Sequence, residues 1–505
     1  MFKKIFILFL LVSLFSLNGL YGQKNNIRET VIAKVGDEEI TYNMLEHAYN
    51  KNIKRDRVKL YNLKKDSVYD FLDLYINYRL KVHDAVQRGY QSEESVQQEI
   101  KNNRKVLAES FFYDENLIRP YLERAIERRE TEAKVAVILK TYYQNGKQDT
   151  ALAKRQIKMA MDELKEGKDF SEVAKRYSDD GQTSQKGGVV PGYITSGLVQ
   201  RPLENAIYST PEGEIHPEII KSNAGFFIIK VLDKEPREKV HLSHILLKFA
   251  RKDSMEIINR ADSVLKALKN GADFGKLAKQ YSEDPTTASK GGSFDFPYSR
   301  STGMKTNSKP FLPRFEKALF GLEDGEVSGK IITDFGVHII KRDSTVPVNK
   351  KAERSELKKQ YMRLYYAVDK NEFMDSLARE HGLKINQQSL KALVDFLKEG
   401  KKDTDDEIKD ELPEDLSEKQ LYSLLGEDYT VGDFIEQMNS EKAVHGFGVS
   451  MEGMTKAIYV MARPLVFDKA TEDLEDEYPE FRRLMNEFKD GILLFKVEAE
   501  EVWDK

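Results

Sequence analysis

The 505-residue chain has no cysteine and eight histidines. That excludes a disulfide, a thiolate zinc or iron–sulfur site and a cysteine nucleophile. Among the groups that remain, His244, His338 and Asp284 stand out. A second copy of the same stretch carries apolar residues in place of both imidazoles. Paired His and Asp side chains can hold a metal, but no further ligand stands at suitable local spacing. No metal and no cofactor are expected. Taken singly, each histidine reads as a core imidazole, and Asp284 reads as a turn cap ahead of Pro285. The acidic run from Lys401 to Glu418 lacks the glycine a calcium loop needs and reads as a solvated linker.

The elements that must position these groups follow from the repeat. Glu163 to Gly188 (ELKEGKDFSEVAKRYSDDGQTSQKGG) aligns without a gap on Ala267 to Gly292 (ALKNGADFGKLAKQYSEDPTTASKGG), with 14 of 26 positions identical at an offset of 104 residues. A period of that size is a small globular domain rather than a solenoid unit. The middle of the chain is therefore two copies of one domain, 130–234 and 237–344. Each copy reads as α+β. The second opens on an alternating strand with Val240, Leu242, His244 and Leu246 on one face. A helix follows, with Ile257, Ala261, Leu265 and Leu268 at helical spacing and a stop at Gly271. A short helix from Asp273-Phe274 to Tyr281 comes next, then the Gly291-Gly292 turn, a helix at Phe315–Phe320 and a closing strand at Phe335–Ile340.

The second copy resembles a parvulin-type peptidyl-prolyl isomerase domain. The resemblance rests on Ser243-His244-Ile245-Leu246-Leu247-Lys248, Asp273-Phe274, Tyr281-Ser282-Glu283-Asp284-Pro285, Gly291-Gly292, Phe315-Glu316-Lys317-Ala318, Gly325-Glu326-Val327-Ser328 and Thr333-Asp334-Phe335-Gly336-Val337-His338-Ile339-Ile340, in family order. It implies a small antiparallel sheet wrapped by helices. It also implies a catalytic set of His244, Asp284 and His338, with Thr333 orienting the histidine pair and Phe294, Phe311 and Phe315 holding the proline ring. The copy departs from the family pattern at Ser293-Phe294-Asp295 and in an insertion from Ser301 to Pro310. In the first copy Val137 replaces His244 and Phe227 replaces His338, while Asp180 persists. That copy is expected to keep the fold with little or no isomerase activity. It either binds apolar peptide segments or only holds the architecture together.

Residues 1–22 read as a secretory signal. Met1-Phe2-Lys3-Lys4 is a basic start, and Ile5 to Leu17 is an apolar run short of the roughly 20 residues a membrane span needs. The mature chain is expected to be exported to the periplasm with no stable membrane span. Net charge is −4, from 80 basic and 84 acidic side chains. This balance argues against a general nucleic-acid binder. Mean hydropathy is −0.57, which excludes a polytopic membrane protein. Region 24–130 reads as helix-rich. It begins with a hairpin around Gly36-Asp37 and a helix capped by Thr41, and includes an apolar helix face of Phe71, Leu72, Leu74, Tyr75, Tyr78 and Leu80. Region 350–505, with its acidic linker 401–418, reads as helical. Thr430-Val431-Gly432-Asp433-Phe434 looks like a second strand–Thr–helix start, and Phe481, Leu484, Met485, Phe488 and Ile492 form a core stripe. The whole layout resembles periplasmic chaperone-isomerases. That implies partners that are unfolded or proline-containing polypeptides, outer-membrane protein precursors among them. The alternative is a holdase chaperone that binds peptides without catalysis.

Overall fold

A computed structural model describes residues 27–52, 60–144, 147–249, 254–304, 311–400, 402, 411–444 and 446–503. The proposed signal at 1–22, positions 305–310 of the insertion and half of the acidic linker (401 and 403–410) lie outside the described residues. The chain begins with a hairpin, β1 (Val31–Val35) and β2 (Glu38–Thr41), turning at Gly36 with φ +59°. Thr41 accepts the Met44 amide and starts α1 (Tyr42–Asn52). Two long helices follow, α2 (Lys65–Gln87) and α3 (Glu94–Tyr113), and then α4 (Arg119–Arg128).

The first repeat contains β3 (Thr131–Thr141), a small hairpin of β4 (Tyr143–Gln144) and β5 (Lys147–Gln148), α5 (Thr150–Lys165), α6 (Phe170–Tyr177), α7 (Arg201–Ser209), β6 (Ile220–Lys221) and β7 (Gly225–Pro236). The second contains β8 (Val240–Lys248), α8 (Ser254–Lys269), α9 (Phe274–Tyr281), α10 (Pro313–Phe320), β9 (Ile331–Thr333) and β10 (Gly336–Thr345). Each builds a three-stranded antiparallel sheet in the same order, β3-β7-β6 and β8-β10-β9. Strand alternation sorts the side chains of the second repeat onto two faces. Ile245, Leu247, Val337 and Ile339 pack under α8 and α9. Val240, Leu242 and Ile340 pack with Tyr298, Phe315 and Leu319 on the α10 side. Asp273 caps α9 by accepting the Lys276 amide, as Asp169 caps α6.

After the repeats come α11 (Lys350–Leu364) and a small sheet-and-helix module. In that module Thr430 and Asp433 form a reciprocal capping box at the start of the helix Val431–Ser440. The chain divides into two compact units, 1–112 with 467–505 and 113–466. Region 350–505 contributes to both units. In the first unit Phe481 and Met485 are fully buried, and Ile492 and Leu493 pack with Val82, Ala85 and Val96. The expected α2 face needs correction. Phe71, Leu72 and Tyr75 pack with Leu45 and Tyr49, and Tyr78 packs with Val82. Leu74 and Leu80 are exposed because they fall outside the 71, 75, 78, 82, 85 spacing that stays on one side of a helix. Among the described residues, no helix is long and apolar enough to cross a membrane.

Candidate functional site

The two histidines meet because of strand register. β8 and β10 pair so that His244 lies opposite Ile340 and His338 lies opposite Leu246. His244 and His338 are therefore diagonal neighbours on one face of the sheet. Their ring centroids are 6.0 Å apart with planes tilted by 34°. Both are buried, at 6% and 7% exposure. Gly292 lets a second backbone segment run beside β8. The His244 amide donates to the Gly292 carbonyl at 2.9 Å, and a Cβ on Gly292 (φ +85°) would stand 2.5 Å from the His244 carbonyl oxygen.

Each imidazole is held by its Nε2 atom. His244 Nε2 lies 2.6 Å from Asp284 Oδ2 and 3.0 Å from Thr287 Oγ1. The Thr287 hydroxyl donates to Asp284 at 2.7 Å, so its oxygen is free to accept. Two acceptors facing Nε2 assign a proton to Nε2. His338 Nε2 lies 2.9 Å from Thr333 Oγ1. The Nδ1 atoms of both rings are buried and have no hydrogen-bond partner. The hydrogen bond from His244 holds the Asp284 carboxyl well below the usual carboxylate range, helped by the Thr287 hydroxyl and Thr286 amide. Burial, with the neighbouring His244 adding to it, pushes the His338 imidazole down to about 4, so that ring is neutral at ordinary pH.

An aromatic wall closes the site. The Phe315 ring stands edge-on to both imidazoles, at 5.9 Å from His244 and 5.4 Å from His338. Phe294 lies 5.1 Å from His244. Phe311 contacts Phe315 at 4.4 Å and Phe294 at 5.6 Å. Phe315 is buried, while Phe294 and Phe311 are half-buried. The seven residues singled out in the sequence thus come together. The expected role of Thr333 is divided, because it reaches only His338 and Thr287 holds His244. Thr287 was readable, since its counterpart Thr183 also stands three residues after an Asp. Tyr298 was not, since Ile194 stands in its place. Its ring stacks on Phe311 at 3.8 Å and its hydroxyl accepts the Phe311 amide at 3.1 Å.

The first repeat keeps the frame without the rings. Asp180 accepts the Thr183 hydroxyl at 2.5 Å and the Gln182 amide at 3.1 Å, but Val137 and Phe227 occupy the histidine positions. The acid therefore has a turn-building role that does not depend on imidazole. Among the described residues, no group of three or more His, Asp and Glu side chains gathers to hold a metal ion. What the second site can do is grip an apolar ring and hold two oriented imidazoles beside it, the His338 ring neutral. It holds no thiol, and no serine is paired with either histidine.

Residues 121–235 and 234–345 match the PPIC-type PPIASE domain family, one domain for each repeat. The chain is 32% identical over 194 residues to the chaperone SurA of Methylobacillus flagellatus, covering 37% of this chain and 41% of that protein. It is 27% identical over 253 residues to the chaperone SurA of Ralstonia nicotianae, covering 47% and 48%. The chain spans less than half the length of these relatives. The solution structure of NmPin, the parvuline of Nitrosopumilus maritimus, aligns at 35% identity over 22% of this chain and all of that one, with a TM-score of 0.17.

Proposed function

With both repeats belonging to the PPIC-type domain family, we propose that the second one isomerises X–Pro bonds in unfolded polypeptides. The observation that carries this reading is the pair of oriented imidazoles, 6.0 Å apart, against the Phe294–Phe311–Phe315 wall. Rotation about an X–Pro bond is slow because amide resonance sets a barrier of about 20 kcal/mol. No proton transfer or covalent bond is required. The enzyme has only to bind the twisted amide more tightly than either planar form. The aromatic wall holds the proline ring. The His244 and His338 rings line the slot beside the rotating bond in a water-poor setting, where polar interactions are strong. His244, Asp284, His338 and Thr333 are the proposed catalytic set, with Thr287 fixing the His244 tautomer.

The proposal extends to the whole chain as an exported, periplasmic chaperone for envelope proteins, outer-membrane precursors included. Support comes from the likeness to chaperones named SurA and from exposed apolar side chains in the first unit, such as Tyr61, Tyr69, Leu74 and Val106. Those same side chains favour the second reading, a holdase that needs no catalysis. The experiment is a prolyl-peptide isomerisation assay on the full chain, paired with suppression of client aggregation. A H244V/H338F chain should lose the first activity and keep the second. Loss of neither would remove the proposed site, and loss of both would tie holding to the pocket.

A further inference from the structure

The turn from Ser299 to Thr302 follows directly on Tyr298, whose amide and carbonyl pair with Val240 on β8. It closes on a carboxylate from the other repeat. Glu132, on β3, is fully buried. Its Oε1 accepts the Ser301 amide at 2.9 Å and its Oε2 accepts the Arg300 amide at 3.2 Å. The Ser299 and Ser301 side chains also reach it, and Arg237 lies 4.0 Å away. Ser299 and Ser301 are themselves buried.

Comparing the two copies shows what is unusual here. In the first repeat the matching turn is closed from within. Glu204 on α7 accepts the Ser196 hydroxyl at 2.9 Å and the Gly197 amide at 2.8 Å. The counterpart of Glu204 is Glu316, since Leu203-Glu204-Asn205-Ala206-Ile207 matches Phe315-Glu316-Lys317-Ala318-Leu319. Glu316 is buried as well, yet its carboxyl accepts no hydrogen bond among the described residues. Burial pushes its carboxyl up to about 7 against the pull of Lys134 and Arg300. The second repeat has thus given its own closing carboxylate no turn to close and taken one from its neighbour.

We propose that Glu132 is a positioning residue for the second repeat's site, holding the 299–302 turn so that Tyr298 can stack on Phe311. The first repeat, which lacks both histidines, then has a definite role, because it completes the pocket of the second. This inference rests on reading that pocket as a prolyl-peptide site. It says that binding, rather than the imidazole chemistry, depends on the borrowed carboxylate.

The test uses the full chain with Glu132→Gln, Glu132→Asp and Glu316→Gln. Hydrogen exchange, followed by mass spectrometry over 296–304, reads the turn whether or not the protein is an enzyme. Peptide affinity, KM and kcat read the pocket. Glu132→Gln turns an amide NH2 toward a backbone donor, so exchange should quicken at least about tenfold. KM for a prolyl peptide should rise about fivefold with kcat within about twofold. Glu132→Asp should recover part of both changes, and Glu316→Gln should produce neither. Unchanged exchange in Glu132→Gln, or faster exchange with unchanged peptide affinity, overturns the proposal. If the unaltered chain fails to isomerise any prolyl peptide, the isomerase reading falls instead. Exchange and peptide affinity then still decide the role of Glu132.

Discussion

Replacing Asp284 by Asn separates the two roles of that carboxylate. In the folded protein its oxygens accept from His244 Nε2 at 2.6 Å, from the Thr287 hydroxyl at 2.7 Å and from the Thr286 amide at 3.0 Å. An amide supplies one acceptor oxygen and turns an NH2 group toward one set of donors. If the oxygen faces His244, two charge-assisted bonds become neutral ones, each weaker by about 1 kcal/mol. If the NH2 faces His244, Nε2 must give up its proton and accept instead, which changes the ring's tautomer. Either way the cost to the productive site is about 2–3 kcal/mol, or about 30- to 150-fold in kcat/KM. The control lies in the same chain. Asp180→Asn disturbs a matching turn that holds no imidazole, so it should cost about 1 kcal/mol of stability without touching the rate. The assay is isomerisation of a prolyl peptide by both variants, with 15N shifts of the His244 ring reporting the tautomer. If Asp284→Asn stays within about threefold of the parent rate while the ring changes tautomer, the site does not work as argued.

The remaining predictions follow from the same geometry. Because burial lowers the His338 pKa from its ordinary 6.5 to about 4, the unfolded chain binds a proton in that window that the native site refuses. Stability should therefore be full above pH 6.5 and fall as pH drops toward 4, and His338→Phe should flatten that part of a urea-unfolding series. Gly292→Ala would place a methyl group against the His244 carbonyl at positive φ. It should cost about 2–4 kcal/mol and abolish isomerisation, and calorimetry together with the rate assay checks both. In the first unit, Leu74→Asp and Val106→Asp alter exposed side chains and should leave stability within about 0.5 kcal/mol. Both should weaken aggregation suppression, and unaltered suppression would move client holding elsewhere.

Much of the second repeat could be read in the sequence because its signals are local. Alternation from Val240 to Leu246 marked the strand that carries His244, the Gly-Val-His-Ile-Ile run marked the strand that carries His338, and the family resemblance implied that the two rings meet. The second copy supplied an internal control, since the same frame persists around Val137 and Phe227. What could not be read depends on distant contacts. Glu132 closes a turn some 170 positions along the chain, and nothing near it marks a charged residue as the partner of a backbone turn. The C-terminal helix with Phe481 and Met485 reads correctly as a core stripe, but its period cannot say which unit it joins. Leu74 and Leu80 were grouped with the packed face of α2 because apolar character was counted there without its angular position. Tyr298 was missed for a related reason: its value lies in a stack with Phe311 across an insertion, which no spacing rule encodes.

The central claim is that two imidazoles on one sheet face, backed by three phenylalanines, lower the barrier to X–Pro rotation. Its most direct measurement is prolyl-peptide isomerisation by the full chain against the same chain carrying His244→Val and His338→Phe, the residues that the first repeat already tolerates. The parent should accelerate the reaction, and the double variant should fall to the uncatalysed rate with its fold intact. Equal rates for the two, at equal stability, would contradict the account.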